Sequence, residues 1–313
     1  MSDVSVRAVT TDDVPAIVRL AERSRDTAAK EFPPLPVFPE GKLEGLLQPI
    51  AQSGSGVVAE RDGGIIGNLL VRGPFADFHG GGQGVWAPLG CTHAPTDAIL
   101  TSLLTTLGNL GSLRGTRMIA ISAWASDVNI ANSLVQNGFG VRTADAIARV
   151  SDLTELQVTA DITFEFADHP PLASYQSLAD HLAASPIHMQ GFTFTQEQLI
   201  ERSERKRSRT MLAMLNGKPV GHIEWCPEGE NALTLSPGMA NICGAWVKPA
   251  LRGTGIMRSL VGELARVLAS ERDSLLGVDY ETINPQARRT WQRWFMPYSW
   301  GWVRHVDTPW GEA

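Results

Sequence analysis

The residues from Ile242 to Val261 have the types and spacing of an anion cradle. An apolar strand, Ile242 to Val247, runs into a turn broken by Gly253 and Gly255, and an amphipathic helix follows. Arg252, Gly253, Thr254 and Gly255 fall at the helix start, where the first backbone N–H groups have no intrahelical acceptor and the helix dipole favours negative charge. A phosphate-bearing ligand is the guest such a turn suits.

Three phosphate-binding motifs compete for this turn, and spacing separates them. A P-loop requires a Lys directly after its last Gly, which is absent here. A dinucleotide fingerprint requires a third Gly where Arg258 stands, and a lone Gly-x-Gly is weak support even with Asp273 about twenty residues on. The third pattern is Arg/Gln-x-x-Gly-x-Gly/Ala. Arg252, Gly253, Thr254, Gly255, Ile256 and Met257 match it at all but the last position. Downstream, a strand to Tyr280 leads to Asn284, Pro285, Gln286 and Ala287, an Asn-x-x-Ala start to a helix carrying Trp291. Asn284 suits the N-cap and Pro285 the first helical position.

These two motifs together resemble the GNAT N-acetyltransferase superfamily. The resemblance implies an α/β fold, a mixed, largely antiparallel sheet flanked by helices. It also implies acetyl-CoA as cosubstrate, with direct attack by a primary amine of a small molecule or peptide in a ternary complex. By the same resemblance, Trp246 and Val247 lie in the strand that offers backbone N–H groups to the thioester and pantetheine arm. The Gly253–Met257 amides hold pyrophosphate, and Asn284 contacts the arm. Met257 replaces a small residue of the family pattern, and Trp291 stands where the family often has a Tyr general acid. Tyr280 is the phenol best placed as a substitute acid, or else a core aromatic. Glu224 and Glu281 are the candidate bases. Glu224 shares a strand face with His222 by the period of two, and is otherwise a surface charge. Decay of both sites would instead leave a non-catalytic acyl-CoA-binding or interaction protein.

The elements around the motifs occur twice. Strand, two helices, hairpin, strand, helix, strand, helix, strand is the order from Val4 to Val150, and again from Ile162 to the end. A period of about 150 residues implies duplication of a whole domain, since solenoid repeats are far shorter. The expected domains are 1–152 and 160–313. The first copy resembles the family loosely, in the helix from Val128 and its Gly138-Phe139 exit. Its turn at Gly90–Thr96 has no Arg-x-x-Gly pattern, and side chains there keep a pyrophosphate from the backbone, so this copy reads as degenerate.

Composition narrows the class. The chain has 313 residues, 43% hydrophobic and 19% charged, enough for more than one core. Its net charge of −6 argues against a nucleic-acid backbone as partner. The basic run Arg202 to Arg209 reads as the solvated end of a helix. Cys91, Cys226 and Cys243 are too widely spaced for a zinc site or a disulfide framework and read as buried thiols. No metal is expected. No apolar run reaches the roughly 18 residues of a membrane span, and the start lacks a signal-peptide pattern, so a cytoplasmic monomer or homodimer is expected.

Overall fold

The computed structural model describes residues 4–76, 78, 82–183, 195–229 and 231–311. The chain divides into two compact units. The first comprises Met1–Asp145 with Asn231–Leu233 and Pro297–Ala313; the second comprises Ala146–Glu230 and Thr234–Met296. A mixed α/β architecture of mostly antiparallel strands is present in each.

In the first unit the elements are β1 Ser5–Ala8, α1 Val14–Glu31, α2 Lys42–Gln52, β2 Gly56–Arg61, β3 Gly64–Leu70, β4 Arg72–Phe75, β5 Gly84–Ala87, β6 Thr92–His93, α3 Asp97–Gly108, β7 Met118–Trp124 and α4 Val128–Gln136. Strand β8, Gly140–Arg149, carries the chain into the second unit. Strands β1, β2, β3 and β6 form one antiparallel sheet, while β5 pairs parallel with β7. Fully buried Leu100, Leu103 and Leu107 line one face of α3 at helical spacing and enter the core.

The second unit contains α5 Val150–Leu153, β9 Ile162–Ala167, α6 Leu172–Ala183, α7 Gln196–Lys206, β10 Arg209–Leu215, β11 Lys218–Cys226, β12 Met239–Val247, α8 Ile256–Ser270, β13 Leu275–Glu281 and α9 Pro285–Trp291. The order β9-β10-β11-β12 is antiparallel, and β13 joins β12 in parallel. Helix α8 buries Ile256, Leu260, Val261, Leu264, Ala265 and Leu268, the stripe expected of a helix lying on a sheet. Gly221 of β11 allows that approach: a Cβ there would lie 3.2 Å from Ile256 and 3.3 Å from Leu260.

The last strand, β14 Met296–His305, reads from sequence as the end of the second copy, yet from Pro297 it lies in the first unit. It pairs antiparallel with β7, from Ser299↔Trp124 to His305↔Met118. Trp302 enters the first unit's core, with Trp300 and Trp310 packed against it. Burial of these large aromatic surfaces accounts for the density of Trp in the tail.

Candidate active site

Two interruptions in strand pairing build the cleft. Parallel pairing of β12 with β13 runs from Met239↔Leu275 to Ile242↔Val278 and ends there. At the same point the β11 register shifts, with Trp225 opposite Ile242 but Glu224 opposite Gly244, so Cys243 is the extra residue of a β-bulge. Beyond it, β12 keeps its pairing with β11 while its pairing with β13 has stopped. A cleft of about 460 Å³ opens between β12, the start of α8 and α9.

The hydrogen-bond pattern fixes which β12 amides face this opening. Lys248 N–H donates to Val220 C=O at 2.8 Å while Val247 lies opposite Gly221. Gly221 and Val247 are therefore a non-hydrogen-bonded pair, and the polar groups of Val247 point away from β11. Alternation gives Ala245 the same direction and turns the backbone of Trp246 toward β11. Trp246 nevertheless lines the cleft.

At the cleft floor Gly253 and Gly255 have φ of +83° and +97°, a region costly for residues with a Cβ. Arg252 ties the turn down, with Nε donating to Val247 C=O at 3.2 Å and an Nη1 donating to Gln286 Oε1 at 2.9 Å. Thr254 closes the preceding turn, its hydroxyl donating to Leu251 C=O at 2.8 Å. Ser259 N–H to Gly255 C=O, at 2.9 Å, opens the bonding ladder of α8. The amides of Ile256, Met257 and Arg258 precede it and are the orphan donors of the helix start. The Ile256 side chain is buried and Met257 lines the cleft. This donor set, with Arg258, Arg289 and Arg293 on the walls, suits a pyrophosphate.

Asn284 caps α9, its Oδ1 accepting from Gln286 N–H and Ala287 N–H, each at 3.1 Å. Its Nδ2 remains a donor at the cleft wall. Asn284→Ala is expected to cost about 1 kcal/mol by loss of the cap, whereas Asn284→Ser keeps the cap. Denaturation separates these variants; if the arm contact matters, both weaken acetyl-CoA binding in a titration.

The three catalytic candidates do not come together at the cleft. Tyr280 is buried, and its hydroxyl accepts from Gln292 Nε2 at 3.1 Å. Burial raises its pKa, only partly opposed by that hydrogen bond and by Arg288. Glu281 ends β13 and is not among the cleft-lining residues.

Glu224 is fully buried, with both oxygens engaged. Oε2 accepts from Arg202 Nη1 at 2.7 Å and from the Tyr175 hydroxyl at 2.9 Å; Oε1 accepts from Ser208 at 2.6 Å and Ser203 at 3.3 Å. Burial pushes its carboxyl up, but the Arg202 charge and the hydrogen bonds from Ser208, Arg202 and Tyr175 outweigh burial and hold it below the usual range. A carboxylate so paired is a poor proton acceptor.

Tyr175 and Arg202 carry this network and are not evident as site residues from sequence. Arg202 lies at the start of the basic run read as solvated. The signal that could have set it apart is helical spacing: Leu199 and Ser203, both buried, mark the inward face of α7.

His222 is fully buried between two stacked rings, 5.9 Å from Tyr175 and 6.3 Å from Trp246 by centroid. Burial lowers its pKa to about 4, against the opposing pull of Glu224 and with Arg202 acting in the same direction as burial. The folded chain therefore keeps it neutral where the unfolded chain, near 6.5, takes up a proton. Stability from this residue is complete above pH 6.5 and falls as pH drops toward 4, by about 3 kcal/mol. Denaturant unfolding across that window should show a shallower pH slope for His222→Phe than for the parent chain.

Side chains pack against Gly90, at the corresponding turn of the first unit. A Cβ on Gly90 would lie 3.1 Å from Leu43 and 3.5 Å from both Ala21 and Phe38. Thr96 caps α3 by accepting from Ile99 N–H.

Among the described residues no cluster of His, Cys, Asp and Glu is placed to hold a metal, and no helix is long and apolar enough to cross a membrane. The sequence of residues 175–295 matches the model of the acetyltransferase (GNAT) family. A GCN5-related N-acetyltransferase from Sphaerobacter thermophilus is similar in structure, at 16% identity and a TM-score of 0.61, over 96% of this chain and 95% of that one. A tandem GNAT protein from the clavulanic acid biosynthesis pathway is similar at 12% identity and a TM-score of 0.51, over 97% and 98%. At these identities the likeness shows the fold. No curated protein matches the sequence.

Proposed function

Because residues 175–295 match the GNAT acetyltransferase family model, in a chain whose fold a tandem GNAT protein shares, we propose that the second unit moves an acetyl group from acetyl-CoA to a primary amine of a small molecule or peptide. The observation that carries this reading is the glycine cradle, Arg252 to Met257, opening onto the point where β12 parts from β13. Acetyl-CoA supplies the activated thioester; the residues here bind and orient it.

In this reading the amides of Ile256, Met257 and Arg258, with the positive end of α8, hold the pyrophosphate. Nδ2 of Asn284 donates to the pantetheine arm. The N–H groups of Ala245 and Val247, two residues apart on one strand edge, divide between the thioester carbonyl, where charge develops as the amine attacks, and the pantetheine arm. Proton transfer has no built-in phenol at the cleft wall: Trp291 has no acidic proton, and Tyr280 is turned to Gln292. A thiol of pKa roughly 8.5 leaves as thiolate near neutral pH without a strong acid. Water relays the amine proton, since the Glu224 carboxylate is committed to Arg202. The turn at Gly90–Thr96 has no Arg-x-x-Gly pattern, so we assign one acetyl-CoA site to each chain.

The absence of an acid among the described residues of the wall also favours a second reading, a protein that binds acyl-CoA without turning it over. Release of free thiol from acetyl-CoA across a panel of primary amines separates the two. Acceleration by at least one amine supports transfer; tight binding with only slow, amine-independent hydrolysis supports the binding protein.

A further inference from the structure

We infer that Arg202, with Glu224 and Tyr175, is a positioning clamp that sets the bulge of β12 and so selects which backbone amides face the thioester. The inference rests on the proposed reading of the cleft for its catalytic consequence, but its structural part does not. Arg202 spreads its guanidinium across three groups. Nη1 donates to Glu224 Oε2 at 2.7 Å and to the Tyr175 hydroxyl at 3.0 Å, and Nη2 donates to the carbonyl of Cys243 at 2.8 Å. Cys243 is the extra residue at which the β11–β12 register shifts. The same network closes over the next residue, since a Cβ on Gly244 would lie 2.6 Å from Glu224 Oε2 and 3.0 Å from the Tyr175 hydroxyl.

The consequence follows from strand parity. Successive residues of a strand turn their N–H groups to opposite edges, so absorbing one extra residue reverses the edge for everything beyond it. With Cys243 held out of register, Ala245 and Val247 face the cleft and Trp246 faces β11. Without the bulge the assignment inverts, and the cleft receives the amide of Trp246 one position out of place. A planar fork holds the carboxylate and phenol on one nitrogen and the carbonyl on the other at fixed geometry, whereas the three donors of a lysine diverge from a single nitrogen. Ser203 and Ser208 complete the Glu224 oxygens and keep the carboxylate from competing for β12 amides.

The test uses the full chain and two variants, Arg202→Lys and the charge-balanced double variant Arg202→Met with Glu224→Gln. Amide hydrogen exchange, resolved residue by residue and without ligand, should find Trp246 slow and Val247 fast in the parent chain. The double variant should lose at least about tenfold of that contrast, as a freed pair of edges exchanges alike. Turnover of acetyl-CoA should fall about 10²-fold, the worth of misplaced oxyanion donors, with affinity for free CoA within about threefold, since the cradle at α8 is untouched. Arg202→Lys should fall between the two. Retained contrast in both variants overturns the inference, as does a parallel loss of CoA affinity and turnover, which would make the clamp a general support of the fold. A parent chain that binds no CoA refutes the proposed function instead, and the exchange contrast still decides the clamp.

Discussion

Gly255→Asp should abolish acetyl-CoA binding, weakening it more than about 100-fold, while the variant chain remains folded. The reasons add. At φ of +97° a side chain is strained, and a Cβ there would lie 2.7 Å from Thr159 Oγ1. The new carboxylate would face the anion that the α8 amides receive, and like charges at contact distance oppose each other by more than 1 kcal/mol even with solvent screening. Gly255→Asn divides the two effects, because it keeps the shape, tolerates left-handed backbone better than other residues and carries no charge. Titration calorimetry should give an order Gly, Asn, Asp, with the Asn–Asp gap narrowing at high salt. Equal affinity for the parent and Asp variants would remove the cradle from the site.

Arg202→Met alone should destabilise the second unit by about 3–5 kcal/mol, because it leaves the carboxylate of Glu224 buried without its charge partner. The sign of the pH dependence distinguishes this from simple loss of packing. In the parent chain the Glu224 carboxyl is held below its usual range, so its contribution is present above the unfolded pKa and is lost as pH falls through the folded one. Without Arg202, burial dominates and the folded pKa rises above the unfolded value. The folded variant then binds the extra proton, and its stability declines as pH rises. The deficit against the parent should be large at pH 7.5 and shrink at pH 4.5, read as denaturant midpoints. Adding Glu224→Gln should recover much of the loss at neutral pH. A deficit independent of pH would assign the residue a packing role.

Much of this was readable in the chain before its fold. The turn before α8 was legible because glycine at Gly253 and Gly255 is the residue type a left-handed backbone demands, and because the stripe from Ile256 to Leu268 fixes a helix on a sheet. Asn284 and Pro285 marked the start of α9 for similarly local reasons. Most of the order of elements was carried by hydrophobic periodicity and turn residues, again local signals, but the short strands β4 and β6 give the first unit two more strands between α2 and α3 than the second has between α7 and α8. What the sequence could not convey was non-local. Nothing in Pro297 to His305 says that this strand pairs with β7 in the first unit. The bulge at Cys243 depends on pairing between two strands and a guanidinium from α7. Glu224 and His222 were legible as residues sharing a strand face, but their burial beneath Arg202, Tyr175 and Trp246 depends on helices packed over that face. That packing surrounds the carboxylate of the candidate base Glu224 with four hydrogen-bond donors and lowers the imidazole's pKa.

The most direct test of the account is calorimetric titration of acetyl-CoA into the full-length chain, read for stoichiometry. One site per chain is the predicted result, from the proposed cradle at Gly253–Met257 in the second unit and a turn at Gly90–Thr96 without the Arg-x-x-Gly pattern in the first. No binding would contradict the assignment of the cradle, and two sites would contradict the reading of the first unit as degenerate.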